Sequence, residues 1–558
     1  MPSTIIAQCL DCGSLSTFSL LTPVCPNCGS DLLEARYDYG QIAKTLLQQL
    51  PNRPFTLWRY HELLPLNNSI GDLSMGEGGT PLFRAANLGM MLGNPNIFIK
   101  DERQQPTASF KDRQAAVSIA ALKEAGITEL ALASTGNVAI SYSAYAARAG
   151  IRLWVFLTSL VPAVKMRETA IYGTQVVKVT GSYDQAKKTA AEFARQRGIY
   201  LDKGALSVPS LESMKTISFE TSEQLTAFLG TPSSGSSPWR APDWYIQSIS
   251  GGMGPLGVIK GFDELMQMGL IDHFPKFGLF QVEGCAPMVH AWKQNKEIAQ
   301  PVAVPHTSII TLATGDPGRT YSLLRKKILA KSAGFFEMIS DEEAYRAMHL
   351  LAKMEGISVE PAAAVAIAGV IKLVRAGVIK SSETVVINCT GHTMPIESNI
   401  LGEGWAKDLT HLGANELEEN KEEGLLAALS KIGTDRFRRI AIVDDNPDVR
   451  LLMRRILQSQ GNYTLFEASN GREAVELAKK EHPNLIILDL MMPEMDGFAV
   501  MDALKADEST ADIPIVVVTA KELTADEKER LRGHIQSLMQ KGDFLSDDLM
   551  DEVRALLG

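Results

Sequence analysis

Basic residues are in the minority in this chain. Its 558 residues carry 55 Lys and Arg against 65 Asp and Glu, a formal net charge of −10. That leaves no positive footprint of the kind that neutralises phosphates along a duplex, so nucleic acid is not an expected partner. Long apolar runs are missing as well. The longest, residues 361–374, contains Lys372 and falls short of the roughly 20 residues that a bilayer core requires, so no membrane partner is expected. The opening MPSTIIAQCL has neither a basic stretch nor an apolar one of roughly 7–15 residues, which argues against a secretory signal and for the cytoplasm. No internal period of roughly 20–50 residues recurs, which sets solenoids aside. What remains is 45% hydrophobic, 22% charged and 7% aromatic, an ordinary globular composition. At roughly 150 residues per domain, the length implies about two to four domains.

Texture divides the chain. Residues 1–35 are punctuated by cysteine and lack helical periodicity. From residue 57 to 405, short β-branched or apolar runs (IFIK, ELALAS, RLWVFL, QVVKVT, YIQSI, LFQVE, TVVINC) alternate with amphipathic stretches such as 112–125 and 183–196. Alternation of this kind predicts a largely parallel sheet with helices on both faces. The Gly/Ser/Pro-rich stretch 230–242 reads as a surface loop before a strand at Tyr245. Residues 403–435, acid-rich at 416–423, read as a solvated linker or short helix. After Arg438 the alternation restarts, over the length of one complete α/β domain. The expected partition is 1–35, 36–405, a linker at 406–436, and 437–558, all of α/β class apart from the first segment.

Cys9-x2-Cys12 and Cys25-x2-Cys28 form two chelating knuckles, each followed by a glycine, Gly13 or Gly29. Four thiolates at this spacing predict a closed structural zinc site, a zinc ribbon. Two disulfides are the alternative, disfavoured where thiols stay reduced. Cys285 and Cys389 lie in apolar runs and read as core residues.

The run KDERQQPTASFKDRQA places Lys111 at the start of a helix, after a strand and a polar loop. A lysine there can form a Schiff base with an aldehyde cofactor if its amine is desolvated or close to other cations. By itself, SFKD is equally a helix start with Ser109 as N-cap. Three further segments bear on the choice. Ser134-Thr-Gly-Asn137 follows the strand ELALAS and opens a helix. Ser250-Gly-Gly-Met-Gly254 lies between the strand WYIQSI and a helix, where amides and the helix dipole can converge on an anion. Thr390-Gly-His392 ends the strand TVVINC. All three sit at the carboxyl edge of a sheet, where α/β proteins bind ligands.

Order and spacing resemble the fold-type-II pyridoxal phosphate (PLP) enzymes, whose architecture is that of the tryptophan synthase β chain, and more closely the threonine synthase group. The resemblance covers residues 76–395. It includes GEGGTPL at 76–82, PTASFKDR, STGN, the glycine loop, TGDP at 314–317 and VEPAAAVAIAG at 359–369. It implies that Lys111 carries the cofactor in imine linkage and then serves as general base at the substrate Cα. It also implies that Asn137 bonds the ring's 3′-oxygen, that Gly251, Gly252, Met253 and Gly254 bind the phosphate through their amides, and that Thr390 faces the pyridine nitrogen. The activity implied is a lyase reaction of amino-acid metabolism, O-phosphohomoserine to threonine and phosphate or a related elimination or replacement. Two departures stand out. Gln105-Pro106-Thr107-Ala108 replaces the usual Asn-Pro-Thr-Gly, and Ser210 occupies a position where an arginine is usual. Without that guanidinium fork, a serine- or phosphoserine-like substrate stays open, as does a non-catalytic amino-acid sensor.

In the last segment the strand RRIAIV ends in Asp444-Asp445 and the strand LIILD in Asp489, followed by LMMPEMDG, with Pro493 and Gly497. Three carboxylates on one sheet edge make a hard oxygen site suited to Mg²⁺, which neutralises an incoming phosphoryl group. Together with Thr519 and Lys541, this resembles the response-regulator receiver domain, a flavodoxin-like doubly wound fold. The resemblance makes Asp489 the phosphoacceptor, Asp444 and Asp445 metal ligands, Thr519 the switch hydroxyl and Lys541 the phosphoryl contact. Gly542 stands where proline is common, and Leu538 where an aromatic switch residue is usual. The partners implied are a small amino acid, a cognate histidine kinase or phosphotransfer protein, and a second copy of the chain in a homodimer.

Overall fold

The computed structural model describes residues 5–20, 24–67, 73–232, 237–331, 334–392, 407–408, 438–460, 463–519, 523–531, 534–540, 553 and 556. The chain divides into two compact units, Met1–Asn415 and Glu416–Gly558.

The first unit opens with a three-stranded antiparallel sheet in which Ile6–Cys9 lies between Leu15–Thr17 and Leu33–Arg36. Two larger sheets follow. The six-stranded one runs Gly334–Ile339, Lys276–Val282, Trp244–Ser248, Val385–Cys389, Ile97–Asp101 and Leu82–Arg84, and only the last pairing is antiparallel. The five-stranded one is parallel throughout, in the order Lys407–Asp408, Gln175–Val179, Arg152–Thr158, Glu129–Ser134 and Tyr200–Leu201. Every residue of Trp244–Ser248, Ile97–Asp101 and Val385–Cys389 is buried, because helices cover both faces of a parallel sheet. That double burial is why these strands read as continuous apolar runs.

Local signals set the helix limits. Asp341–Glu355 begins with a capping box between Ser340 and Glu343 and ends at Gly356, whose φ of 67° only glycine adopts without strain. The helix Lys111–Glu124 is buried along its whole length from Asp112 to Leu122, although it carries Asp112, Arg113, Gln114 and Ser118. Burial of the two charged groups is tolerable because both Asp112 and Arg113 are hydrogen-bonded. Arg113 donates to Glu102 and Glu220 at 2.6–2.8 Å, and Lys100 donates to Glu220 at 2.7 Å.

Three expectations need correction. Residues 230–242 are not a surface loop as a whole: Ser237, Trp239 and Ala241 are buried, and Trp239 N donates to Leu270 O at 2.9 Å. A large aromatic removed from water outweighed the loop-like composition around it. The linker region contributes Lys407–Asp408, which pairs with Val177–Lys178 at the sheet edge; its remaining residues lie outside those described. Ser109 does not cap the helix, whose N-cap is Phe110 with no side-chain cap bond.

The second unit is one parallel sheet in the order Tyr463–Ala468, Arg438–Val443, Leu485–Leu488, Ile515–Thr519, Ser537–Gln540. The helices Pro447–Gln460, Gly471–Glu481, Gly497–Lys505 and Ala525–Leu531 alternate with these strands. Among the described residues, no helix is long and apolar enough to cross a membrane.

Candidate active site

A cavity of about 690 Å³ opens at the carboxyl ends of both large sheets of the first unit. Lys111, Asn137, Gly251, Gly252, Met253, Gly254 and Thr390 all line it, so the residues singled out from four separate stretches of sequence converge on one space. Backbone bonds bring Lys111 and Thr390 together. Phe110 N donates to Thr390 O, and His392 N to Ala108 O, each at 3.0 Å, which laces the loop before Lys111 onto the loop after Val385–Cys389. The half-buried Lys111 amine lies 4.4 Å from the Phe110 ring centroid. Burial pushes its pKa down to about 8, against the Glu360 carboxylate, which acts to raise it. An amine so placed is neutral in a far larger fraction near neutral pH than a surface lysine, whose pKa is about 10.4.

The anion-binding turn is built as its glycines require. Gly252 has a φ of +84°, and a Cβ there would meet Leu324 Cδ1 at 2.7 Å. A Cβ on Gly254 would meet Gln247 Nε2 at 2.7 Å and the Phe110 ring at 3.0 Å. The turn leads into the helix Met253–Gln267, so its backbone amides and the helix dipole favour a phosphate in the cavity. Ser250 and Thr314 share a hydrogen bond beside it. At the opposite wall, Ser134 Oγ accepts from Gly136 N at 3.0 Å and Ala139 N at 3.1 Å. These bonds hold the turn that presents Asn137 at the first position of its helix.

Two residues with no role assigned from the sequence belong to the site. Glu360 lines the cavity, accepts from Asn137 Nδ2 at 2.7 Å and pairs with Lys165 Nζ at 2.8 Å. Lys165 also donates to Asn137 Oδ1 at 2.6 Å. Glu360 was legible as the residue before Pro361 at a helix start. Lys165, on the helix Ala163–Ile171, sits in no pattern that marks it. Asp112 accepts from Thr107 N at 2.7 Å and Thr107 Oγ1 at 2.6 Å, fixing the loop ahead of Lys111. Burial pushes its carboxyl up to about 7 despite those bonds.

Ser210 does not face the cavity. It is fully buried and shares hydrogen bonds with Ser118 at 2.9 Å and the Tyr142 hydroxyl at 3.1 Å. The cavity's cations come from elsewhere: Lys187, Lys203 and Arg319 line it. The missing guanidinium at 210 therefore does not leave the cavity without positive charge.

At the amino end, one sulfur from each of Cys9, Cys12, Cys25 and Cys28 lies within 4.8 Å of the others, with Cys9 to Cys28 and Cys12 to Cys25 at 3.6 Å. A tetrahedral zinc with bonds of about 2.3 Å holds its sulfurs about 3.8 Å apart, so the four fit that ion. Hydrogen bonds with Ser14 pull Cys12 down to about 5, toward the thiolate that a metal needs. Cys28, despite a backbone bond from Ser30, is pushed up to about 12 by the neighbouring sulfur of Cys12, by burial and by Cys9. Cys285 and Cys389 are buried, and burial raises both thiols.

In the second unit Asp444, Asp445 and Asp489 bring carboxylate oxygens within 4.8 Å of one another. Asp444 and Asp489 are buried and Asp445 is exposed. Asp489 N donates to Val443 O at 2.9 Å, which joins the ends of the two central strands. Gly497 lets the next helix close on this edge, since a Cβ there would lie 2.4 Å from Asp489 O. Thr519 ends its strand and is buried, and Leu538 is 42% exposed. Lys541 and Gly542 lie outside the described residues.

This fold and site define a PLP-dependent enzyme joined to a receiver module, and comparison with known proteins agrees. Residues 73–391 match the pyridoxal-phosphate dependent enzyme family and residues 440–554 the response regulator receiver domain. The chain is 35% identical over 390 residues to the threonine synthase of Methanocaldococcus jannaschii, covering 70% of this chain and 92% of that protein. It is 32% identical over 388 residues to the threonine synthase of Methanosarcina acetivorans, covering 69% and 91%. The solved structure of the processed form of threonine deaminase isoform 2 from Solanum lycopersicum aligns with a TM-score of 0.48 at 19% identity, over 63% of this chain and 90% of that one. The chain belongs to the pyridoxal-phosphate dependent enzyme family, as a threonine synthase-like lyase fused to a carboxyl-terminal response-regulator receiver domain.

Proposed function

We propose that the first unit acts on an amino acid with an anionic leaving group, O-phosphohomoserine, which with one water gives threonine and inorganic phosphate. The observation that carries this reading is one cavity shared by a desolvated lysine amine, a glycine turn at a helix start, and the cations Lys187, Lys203 and Arg319. When bound, PLP supplies the electron sink for charge developing at the substrate carbons. Lys111 would hold the cofactor through its amine and, lining the same cavity, is placed to take and return protons at the substrate carbons. The amides of Gly251, Gly252, Met253 and Gly254 would hold the cofactor phosphate, and the Asn137 amide would hold the ring's 3′-oxygen. The Thr390 hydroxyl would meet the ring nitrogen and, unlike a carboxylate, would not stabilise a pyridinium, which would favour elimination and replacement over transamination.

The remaining sites complete the proposal. Cys9, Cys12, Cys25 and Cys28 hold a structural zinc. Asp444, Asp445 and Asp489 hold Mg²⁺ in the receiver, where Asp489 takes a phosphoryl group from a histidine kinase or phosphotransfer protein and Thr519 and Lys541 meet its oxygens. The parts are a ribbon at 1–35, a catalytic region at 36–405, a linker at 406–436 and a receiver at 437–558, in a cytoplasmic homodimer whose lyase activity or assembly the receiver biases.

The test is turnover. O-Phosphohomoserine is given to the full chain while threonine and phosphate are measured, with O-phosphoserine in parallel and Lys111→Ala as control. Coupled release at about 1–10³ s⁻¹ is expected. No release from a protein that shows the yellow cofactor band would overturn the substrate, and release only from O-phosphoserine would replace it.

A further inference from the structure

The amino-terminal ribbon does not stand apart from the cavity. Asp31 lines it, beside Lys203 on one wall and Arg319 on the other. Lys203 Nζ lies 3.7 Å from Asp31 Oδ2, and Arg319 is bonded to Asp11. The two cations belong to different halves of the unit. Lys203 follows Tyr200–Leu201 of the five-stranded sheet. Arg319 directly precedes the helix Thr320–Lys331, whose Lys327 pairs with Glu34 of the ribbon at 3.2 Å and whose following strand, Gly334–Ile339, edges the six-stranded sheet. Cys9 and Cys25 pack against Val208, and Ala35 N donates to Glu212 Oε1 at 3.0 Å. The ribbon therefore spans the mouth of the cleft and grips both sides.

The aspartates owe their positions to the knuckles. Asp11 lies between Cys9 and Cys12 and accepts from Ser30 Oγ at 2.6 Å; Asp31 follows the Cys28 knuckle. We propose that the ribbon is a clasp whose Asp11 and Asp31 hold Arg319 and Lys203, the two cations that meet the anionic end of an incoming amino acid, so that anion binding at the mouth and docking of the ribbon compete. This rests on the reading of the cavity as a PLP site for an anionic substrate. Neither cation can serve its aspartate and a phosphate equally, so an anion that takes Arg319 and Lys203 weakens the ribbon's hold. By reciprocity, loosening the ribbon strengthens anion binding by the same factor. Exposed pairs of this kind are weak and screened, so the effect is a shift of about two- to fivefold.

The experiment uses the full chain loaded with PLP and zinc, so that the glycine turn already holds the cofactor phosphate. Zinc transfer to a chromogenic chelator is followed while inorganic phosphate is raised at constant ionic strength, with sulfate as a second anion. The expected result is saturable acceleration by about two- to fivefold. Combining Arg319→Ala with Lys203→Ala is expected to speed release without phosphate and to abolish the response. Combining Asp11→Asn with Asp31→Asn, which leaves both cations in place, is expected to tighten phosphate binding by a similar factor. Zinc release indifferent to phosphate, or an undiminished response in the Arg319 and Lys203 variant, overturns the clasp. The yellow band, recorded on the same samples, reports separately on the PLP reading.

Discussion

Glu360 ties Asn137 to Lys165. One carboxylate oxygen receives Asn137 Nδ2 at 2.7 Å and the other receives Lys165 Nζ at 2.8 Å, while Lys165 also donates to Asn137 Oδ1 at 2.6 Å. Asn137 and Lys165 belong to helices of the five-stranded half, and Glu360 immediately precedes Pro361–Arg375, a helix that packs on the other sheet. The closed set of bonds therefore fixes the two halves around Lys111.

Glu360 also acts on Lys111 at a distance, its negative charge holding the amine pKa higher than burial alone would. In Glu360→Gln that attraction is gone, so the amine loses its proton at lower pH. The rate at which PLP reattaches to cofactor-free protein, followed by the yellow band, is expected to inflect near pH 8 in the unmutated chain. It should inflect below that in the variant, with faster attachment at pH 7. An inflection that stays near 8 contradicts the electrostatic coupling.

Asp112 gives a stability test with a defined sign. Its carboxyl stands at about 7 in the folded chain, above the unfolded value of about 3.9. The folded state thus holds the proton more tightly, and the group favours folding below about pH 4. That contribution is lost as pH rises toward 7. Replacing Asp112 with Asn removes the titration. The difference in urea midpoint between variant and parent is expected to move in the variant's favour from pH 5 to pH 7.5; a difference independent of pH refutes the assignment.

Arg113, two residues after Lys111, is fully buried between Glu102 and Glu220. Arg113→Met leaves buried carboxylates short of a partner and is expected to cost about 3–5 kcal/mol in denaturant unfolding. Adding Glu220→Gln should recover part of that loss only if Lys100 remains satisfied by Gln224, to which it donates at 2.8 Å. A loss under about 1 kcal/mol for the single change would mean that water or rearrangement compensates the cluster.

In the receiver, a small-molecule phosphodonor with Mg²⁺ is expected to add one phosphoryl mass to the full chain and none to Asp489→Ala. Chelating the Mg²⁺ should abolish the addition, because two buried carboxylates beside an exposed third repel a phosphoryl group unless a cation intervenes. Equal labelling of the variant would place the acceptor elsewhere.

Much of this protein was legible in its sequence because the relevant signals are local. Glycines at turns, cysteine pairs at metal-ligand spacing, and strands that end in Asp444-Asp445 or Asp489 owe their meaning to neighbours a few residues away. Continuous apolar strands told of sheets buried on both faces, and Lys111, Asn137, the glycine turn and Thr390 each followed a strand. Only the tertiary structure could decide what depends on contacts between distant segments. Trp239 was drawn into the core from a stretch composed like a loop. Lys165 entered the site only because Glu360 and Asn137 met it, and Ser210 proved to lie beneath the cavity wall. The ribbon's Asp11 and Asp31 reached Arg319 and Lys203 across the cleft. A side chain's charge and size are written in its own residue, but desolvation and pairing belong to what surrounds it, and for these residues folding alone supplied the surroundings.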